Sequence, residues 1–201
     1  ELKIKFNTSS LQNMDFMFSG CSSLETIDLS TFNTSKATNI GYMFAYCYAL
    51  NSIDLSNFDT NNVINMDYMF FRCHSLSSLN ITNFNTSLVT TMTAMFSNCY
   101  SLESLNLSNF DASSLKYMGY MFNNCSSLTS IDLSHFNTPN VIQMVNSFYN
   151  LTSLTYLDIS QLNTTSTQYN EAFANWPETG EIIYSESLTK EYINHIPEGW
   201  K

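Results

Sequence analysis

The sequence predicts an α/β repeat: a right-handed solenoid with about seven strands in one parallel sheet and short helices on the opposite face. Three observations lead there. Cys21, Cys47, Cys73, Cys99 and Cys125 recur at 26-residue steps. Apolar columns keep the same step: Leu24 to Leu154, Ile27 to Leu157, Leu29 to Ile159 and Phe32 to Leu162, with no insertion or deletion from Met14 to Leu162. Within each period, a two-residue alternation gives way to spacings of three and four, which are the marks of a strand and then a helix. A unit this small cannot bury its apolar side alone, but stacked units bury one another.

Residues 24–49 serve as an example unit. Ile27, Asp28 and Leu29 alternate in, out and in, as a short half-buried strand does. Asn33, Thr34 and Ser35 form a turn whose side chains suit a helix start. Ala37, Ile40, Met43, Phe44 and Cys47 then form a helical stripe, partly 3₁₀ given its shortness. The ends depart from the pattern. Leu2, Ile4 and Phe6 alternate like a strand, and residues 1–23 read as an incomplete first unit. Residues 24–164 are the tandem repeats. Residues 165–201 read as a C-terminal cap, with a weakened stripe at Asn170, Phe173 and Ala174, a strand over 180–184 and a short helix over 188–196.

Composition narrows the functional classes. Lys plus Arg number 7 against 17 Asp plus Glu, for a net charge of −10, and no basic stripe is present. Such a surface repels phosphate backbones and anionic lipid, so neither nucleic acid nor an anionic membrane is an expected partner. No apolar run reaches 18 residues, so no membrane insertion by this segment is expected. Charged residues make up only 12%, and Ser, Thr and Asn carry most of the polarity.

The recurring string MFxxCxSLxx[IL][DN][LI][ST]xFxT, as in MFSGCSSLETIDLSTFNT and MFNNCSSLTSIDLSHFNT, resembles the BspA-like leucine-rich repeats of bacterial surface proteins. The resemblance covers roughly residues 6–164. It implies a leucine-rich-repeat solenoid, exported to the bacterial cell surface and engaged in adhesion or recognition of a protein or glycan. It carries over core positions only, because the family has no shared catalytic residues.

The residues themselves leave several readings open. The cysteine column reads as buried free thiols behaving as small hydrophobes, with a strained disulfide pair as the alternative; without a CxxC, a zinc site is not expected. The methionine columns read as core rather than as a soft-metal site. Asp28, Asp54, Asn80, Asn106, Asp132 and Asp158 lie between inward strand positions and should point outward. They read as a hydrogen-bonding ladder beside Ser30 and its equivalents, as ligand contacts, or as calcium ligands. No HExxH, GxSxG or phosphate-loop pattern occurs, so neither catalysis nor a cofactor is expected. His74 adjoins Cys73, but a thiol in a buried column makes a poor nucleophile. The outward strand face is the candidate binding surface. The rival is the opposite face, with Tyr42, Tyr68 and Tyr120 in one column, since exposed tyrosines favour interfaces.

Overall fold

The computed structural model describes residues 7–163, 172–185 and 193–200. Leu2, Ile4 and Phe6, Asn170 and most of the expected last helix lie outside these residues. The strand positions pair in parallel, each with its equivalent one unit on. β1 (Ser78–Leu79) pairs with β2 (Ser104–Leu105) in register Leu79↔Leu105. β3 (Ser130–Asp132) pairs with β4 (Tyr156–Ile159), with Ile131 opposite Leu157. β5 (Thr179–Tyr184) adds to β4, and β6 (Gly199–Trp200) adds to β5. The expected single sheet is therefore two: a β1–β2 pair and a four-stranded β3–β4–β5–β6 sheet, separated between Leu105 and Ile131. Residues 27–29 and 53–55 carry the same sequence pattern without strand pairing.

The expected helices on the opposite face are absent from the described units. Residues 13–20 and their equivalents form a run of turns with a second ladder instead. Asn13, Asn39, Asn65, Thr91, Tyr117 and Gln143 bridge in parallel from one unit to the next. Beyond each bridge, every second amide reaches forward: Met14, Phe16, Phe18 and Gly20 donate to the carbonyls of Asn39, Gly41, Met43 and Ala45. The amides between them close tight turns, as Ser19 does onto Phe16 and Cys21 onto Phe18. A helix would point all of these donors along its own axis.

The backbone dihedrals give the reason. Two positions per unit, four residues apart, are left-handed: Tyr42 (φ 54°) with Tyr46 (62°), Tyr68 (56°) with Arg72 (61°), and Tyr120 (61°) with Asn124 (60°). Each such residue costs about 1–2 kcal/mol without a glycine. A left-handed residue every fourth position still turns each third or fourth side chain inward, which mimics helical spacing. The inter-unit bonds offset the strain.

The core between the two ladders is built from identical residues stacked on one another. Phe18, Phe44, Phe70, Phe96, Phe122, Phe148 and Phe173 form a continuous pile with ring centroids 5.5–6.0 Å apart. Phe32, Phe58 and Phe84 stack beside it. Met43, Met66, Met69, Met92, Met95, Met118 and Met121 are fully buried, which supports core packing for the methionines. At the far end, Trp176 Nε1 donates to Phe148 O at 2.6 Å, and Trp200 Nε1 to Pro177 O at 2.9 Å. A Cβ on Gly180 would overlap the Trp200 ring, so this close approach needs glycine.

Candidate functional site

The outward strand face is held rigid by its own side chains. Asp28, Asp54, Asn80, Asn106, Asp132 and Asp158 each accept, through Oδ1, the backbone N–H two residues on, at Ser30, Ser56, Thr82, Ser108, Ser134 and Ser160 (2.9–3.3 Å). These are Asx turns, so the bonds run along each unit and not across units as a ladder would. The Ser56 and Ser134 amides hold the Asp54 and Asp132 carboxyls below the usual carboxylate range. Five of the six residues are exposed. Asp158, expected to point outward like the rest, is only 6% exposed. It lies opposite Ile183 of β5, with the Tyr156 hydroxyl 3.5 Å from its Oδ2.

Two further columns tie unit to unit. Asn57 Nδ2 donates to Leu29 O and Phe32 O, both at 2.8 Å, and Asn83 repeats this one unit later with Leu55 and Phe58. This column, which varies from Thr31 through Asn57, Asn83 and Asn109 to His135 and Gln161, is thus partly structural. In the same column, His135 makes a single bond from Nε2 to Leu107 O at 2.8 Å. The second column is threonine. Thr34, Thr60 and Thr86 each donate Oγ1 to a carbonyl of the next unit (Asp59, Asn85, Asp111) and accept that residue's N–H in return. Sequence reasoning took Thr34 for a helix cap. The sign that it was not lay in the 26-residue recurrence of threonine, broken only at Ala112.

A depression lies on the strand face at the separation between β2 and β3. It has a volume of about 290 Å³ and is lined by Ser104, Leu105, Asn106, Ser130, Asp132 and His135, among others. A second, more open hollow of about 510 Å³ continues from Ser104 past Glu103, Thr129 and Ser153. The backbone link at this point is stretched. Thr129 N lies 3.5 Å from Glu103 O, whereas the equivalent bonds Glu103–Ser77 and Thr155–Thr129 measure 3.1 and 2.8 Å. Asn106 and Asp132 were candidates from sequence, and Ser104, Ser130 and His135 fall in outward columns that vary from unit to unit.

The rival aromatic face is built differently. Phe16, Tyr42 and Tyr68 stack at 4.4 and 4.5 Å, and burial followed by the Tyr68 neighbour raises the Tyr42 hydroxyl to about 12. Ala94 interrupts the column, and Tyr120 stands beyond it, 38% exposed. A second file, Tyr48–His74–Tyr100, has centroids 4.7 and 4.8 Å apart, with His74 Nε2 buried and without a hydrogen bond. Because these rings turn their faces to one another, they offer a partner mainly their edges.

The cysteines are free thiols, and four are buried. Cys47, Cys73, Cys99 and Cys125 donate Sγ–H to the carbonyls of Phe18, Phe44, Phe70 and Phe96 at 3.0–3.2 Å. Burial pushes Cys47 up to about 11 and Cys125 to about 12. Cys21 is exposed, contrary to a fully buried column, because among the described residues no unit precedes its own. Among the described residues, no three His, Cys, Asp or Glu side chains gather as metal ligands, and no helix is long and apolar enough to cross a membrane.

Parallel ladders at a 26-residue register, around a core of stacked identical side chains, define a tandem repeat protein. The chain belongs to the family described as Mycoplasma protein of unknown function, DUF285, whose profile matches residues 2–79 and again 73–183. No curated protein and no solved structure matches it.

Proposed function

We propose that the chain is a BspA-like leucine-rich-repeat solenoid of right-handed sense, capped over residues 165–201. In this reading it works as an adhesion or recognition module at the bacterial cell surface, binding a protein or glycan without catalysis. The observation that carries the reading is the exposed row Asp28, Asp54, Asn80, Asn106 and Asp132, each member pinned by an Asx turn. A polar comb on a rigid frame loses little side-chain entropy when a partner docks. The family match to a repeat protein is consistent with it. Truncating the Asx residues would also remove their turn bonds, so the test uses their outward neighbours. Ser52, Ser78 and Ser104 are exposed on the same face, and changing all three to Lys should abolish binding to a glycan array and to purified extracellular-matrix proteins. Tyr42, Tyr68 and Tyr120 changed together to Ser should leave binding intact. Loss only in the tyrosine variant would move the site to the other face, and no binding by the parent would favour a structural spacer.

A further inference from the structure

We infer that the depression between β2 and β3 is a pocket for one neutral sugar residue, presented at the end or along the chain of a glycan. The inference rests on the recognition reading above and names its ligand class. The pocket lies where strand pairing lapses between two paired stretches. Leu79↔Leu105 and Ile131↔Leu157 are paired, whereas Leu105 and Ile131 are not, and the Thr129–Glu103 link is stretched to 3.5 Å. His135 stands where Asn57 and Asn83 bind two carbonyls of the preceding unit; it reaches only one, through a bulkier ring.

The lining fits a pyranose by its chemistry. Leu105 is half-buried, giving an apolar floor for the C–H face of a ring. Around it stand the Ser104 and Ser130 hydroxyls, the Asn106 amide and the Asp132 carboxylate, all exposed. The Asn106 and Asp132 side chains are already oriented by the Ser108 and Ser134 amides. A carboxylate has about four acceptor sites, so Asp132 keeps capacity for a sugar hydroxyl pair. The described lining contains no Lys or Arg, and Asp132 with nearby Glu103 repels anions, so sialylated, sulfated or phosphorylated sugars are disfavoured. The volume of about 290 Å³ lies at the small end for ligand sites, suited to one ring with its neighbours in the open hollow beyond.

Amide-resolved NMR titration of the whole chain tests this, with methyl glucoside, methyl galactoside and N-acetylglucosamine as probes and N-acetylneuraminic acid as the anionic comparison. A neutral sugar should give saturable shifts confined to residues 103–108 and 129–135. Ser130→Trp, which fills the cleft from an exposed position, should abolish them while the remaining amide spectrum stays that of the parent. His135→Asn, which takes the imidazole out of the lining, should weaken binding at least fivefold. Shifts elsewhere, shifts that survive Ser130→Trp, or preference for the anionic sugar would overturn the inference. So would the absence of shifts with every probe at its solubility limit. If the sugars fail while the parent still binds matrix proteins through the strand face, the recognition reading stands and only the pocket assignment falls; if both assays are blank, both fall.

Discussion

Thr86→Val removes one inter-unit staple without changing side-chain shape. Thr86 is fully buried; its hydroxyl donates to Asp111 O at 2.9 Å and accepts the Asp111 N–H at 2.7 Å. Valine offers neither bond, so a donor and an acceptor lose their partner. Each stranded buried group costs about 1–3 kcal/mol. The chain contains its own precedent for partial rescue. Where Ala112 replaces threonine, the Asn137 N–H turns back to His135 O within its own unit, at 3.0 Å. The Asp111 amide can do likewise, which leaves one carbonyl stranded and a net loss of about 2 kcal/mol. For a chain of this length that corresponds to a fall in Tm of about 4–8 °C. Circular-dichroism melts give the Tm, and hydrogen exchange at the Asp111 amide gives the local effect. Ala112→Thr should move Tm the other way, by about half as much. A Thr86→Val protein that melts within about 1 °C of the parent and keeps its Asp111 amide protected would refute the staple.

Other expectations follow from the thiols, the carboxylates and the tyrosines. A bulky thiol reagent should modify one cysteine, Cys21, in the native protein and the other four only after denaturation; fast native labelling of two or more contradicts the core assignment. Asp54, Asp111 and Asp132 have depressed folded values, so their contribution is present above the unfolded carboxylate value and is lost as pH falls through the folded ones. Acid titration of Tm should therefore steepen below about pH 4, and the combined change of all three to Asn should flatten it. Asp67 runs the opposite way: burial raises its carboxyl, so it opposes folding above its folded value and the penalty lifts as pH falls. Asp67→Asn can keep accepting from the Thr93 amide and should melt at or above the parent at pH 7, with any gain fading in acid; a fall at pH 7 with no recovery in acid counts against this. Ultraviolet titration should leave Tyr42 and Tyr68 un-ionised when exposed tyrosines are already charged.

The repeat, its register and its core were legible in the sequence because period and apolarity are carried by side chains. Leu79 opposite Leu105 and Ile131 opposite Leu157 follow directly from the 26-residue columns. The run of turns that stands in place of the expected helices was not legible. Met14, Met17, Phe18 and Cys21 have helical spacing, but the left-handed residues at Phe16 and Gly20 produce that spacing without a helix, and tyrosine or arginine at such a position gives no composition cue. The candidate face was half legible. Alternation placed Asp28 and its equivalents outward, but it did not show that each also caps the backbone two residues on. Asp158 keeps its place between the inward Leu157 and Ile159 but is covered, because β5 packs beside β4, a contact made by the divergent end of the chain.

The forward-reaching ladder has a mechanical consequence. The bonds named between units join neighbours alone, such as Phe44 to Met69, Cys73 to Phe44 and Thr60 to Asn85. A pull applied to the two ends therefore loads one seam at a time, and an outermost unit can detach while the rest hold. Each detachment releases 26 residues, or roughly 90 Å of slack at about 3.3–3.6 Å per residue. Under tension the chain should pay out in a saw-tooth of equal steps, each dissipating work before the next seam bears the load, and a detached unit can refold onto the template its neighbour still displays.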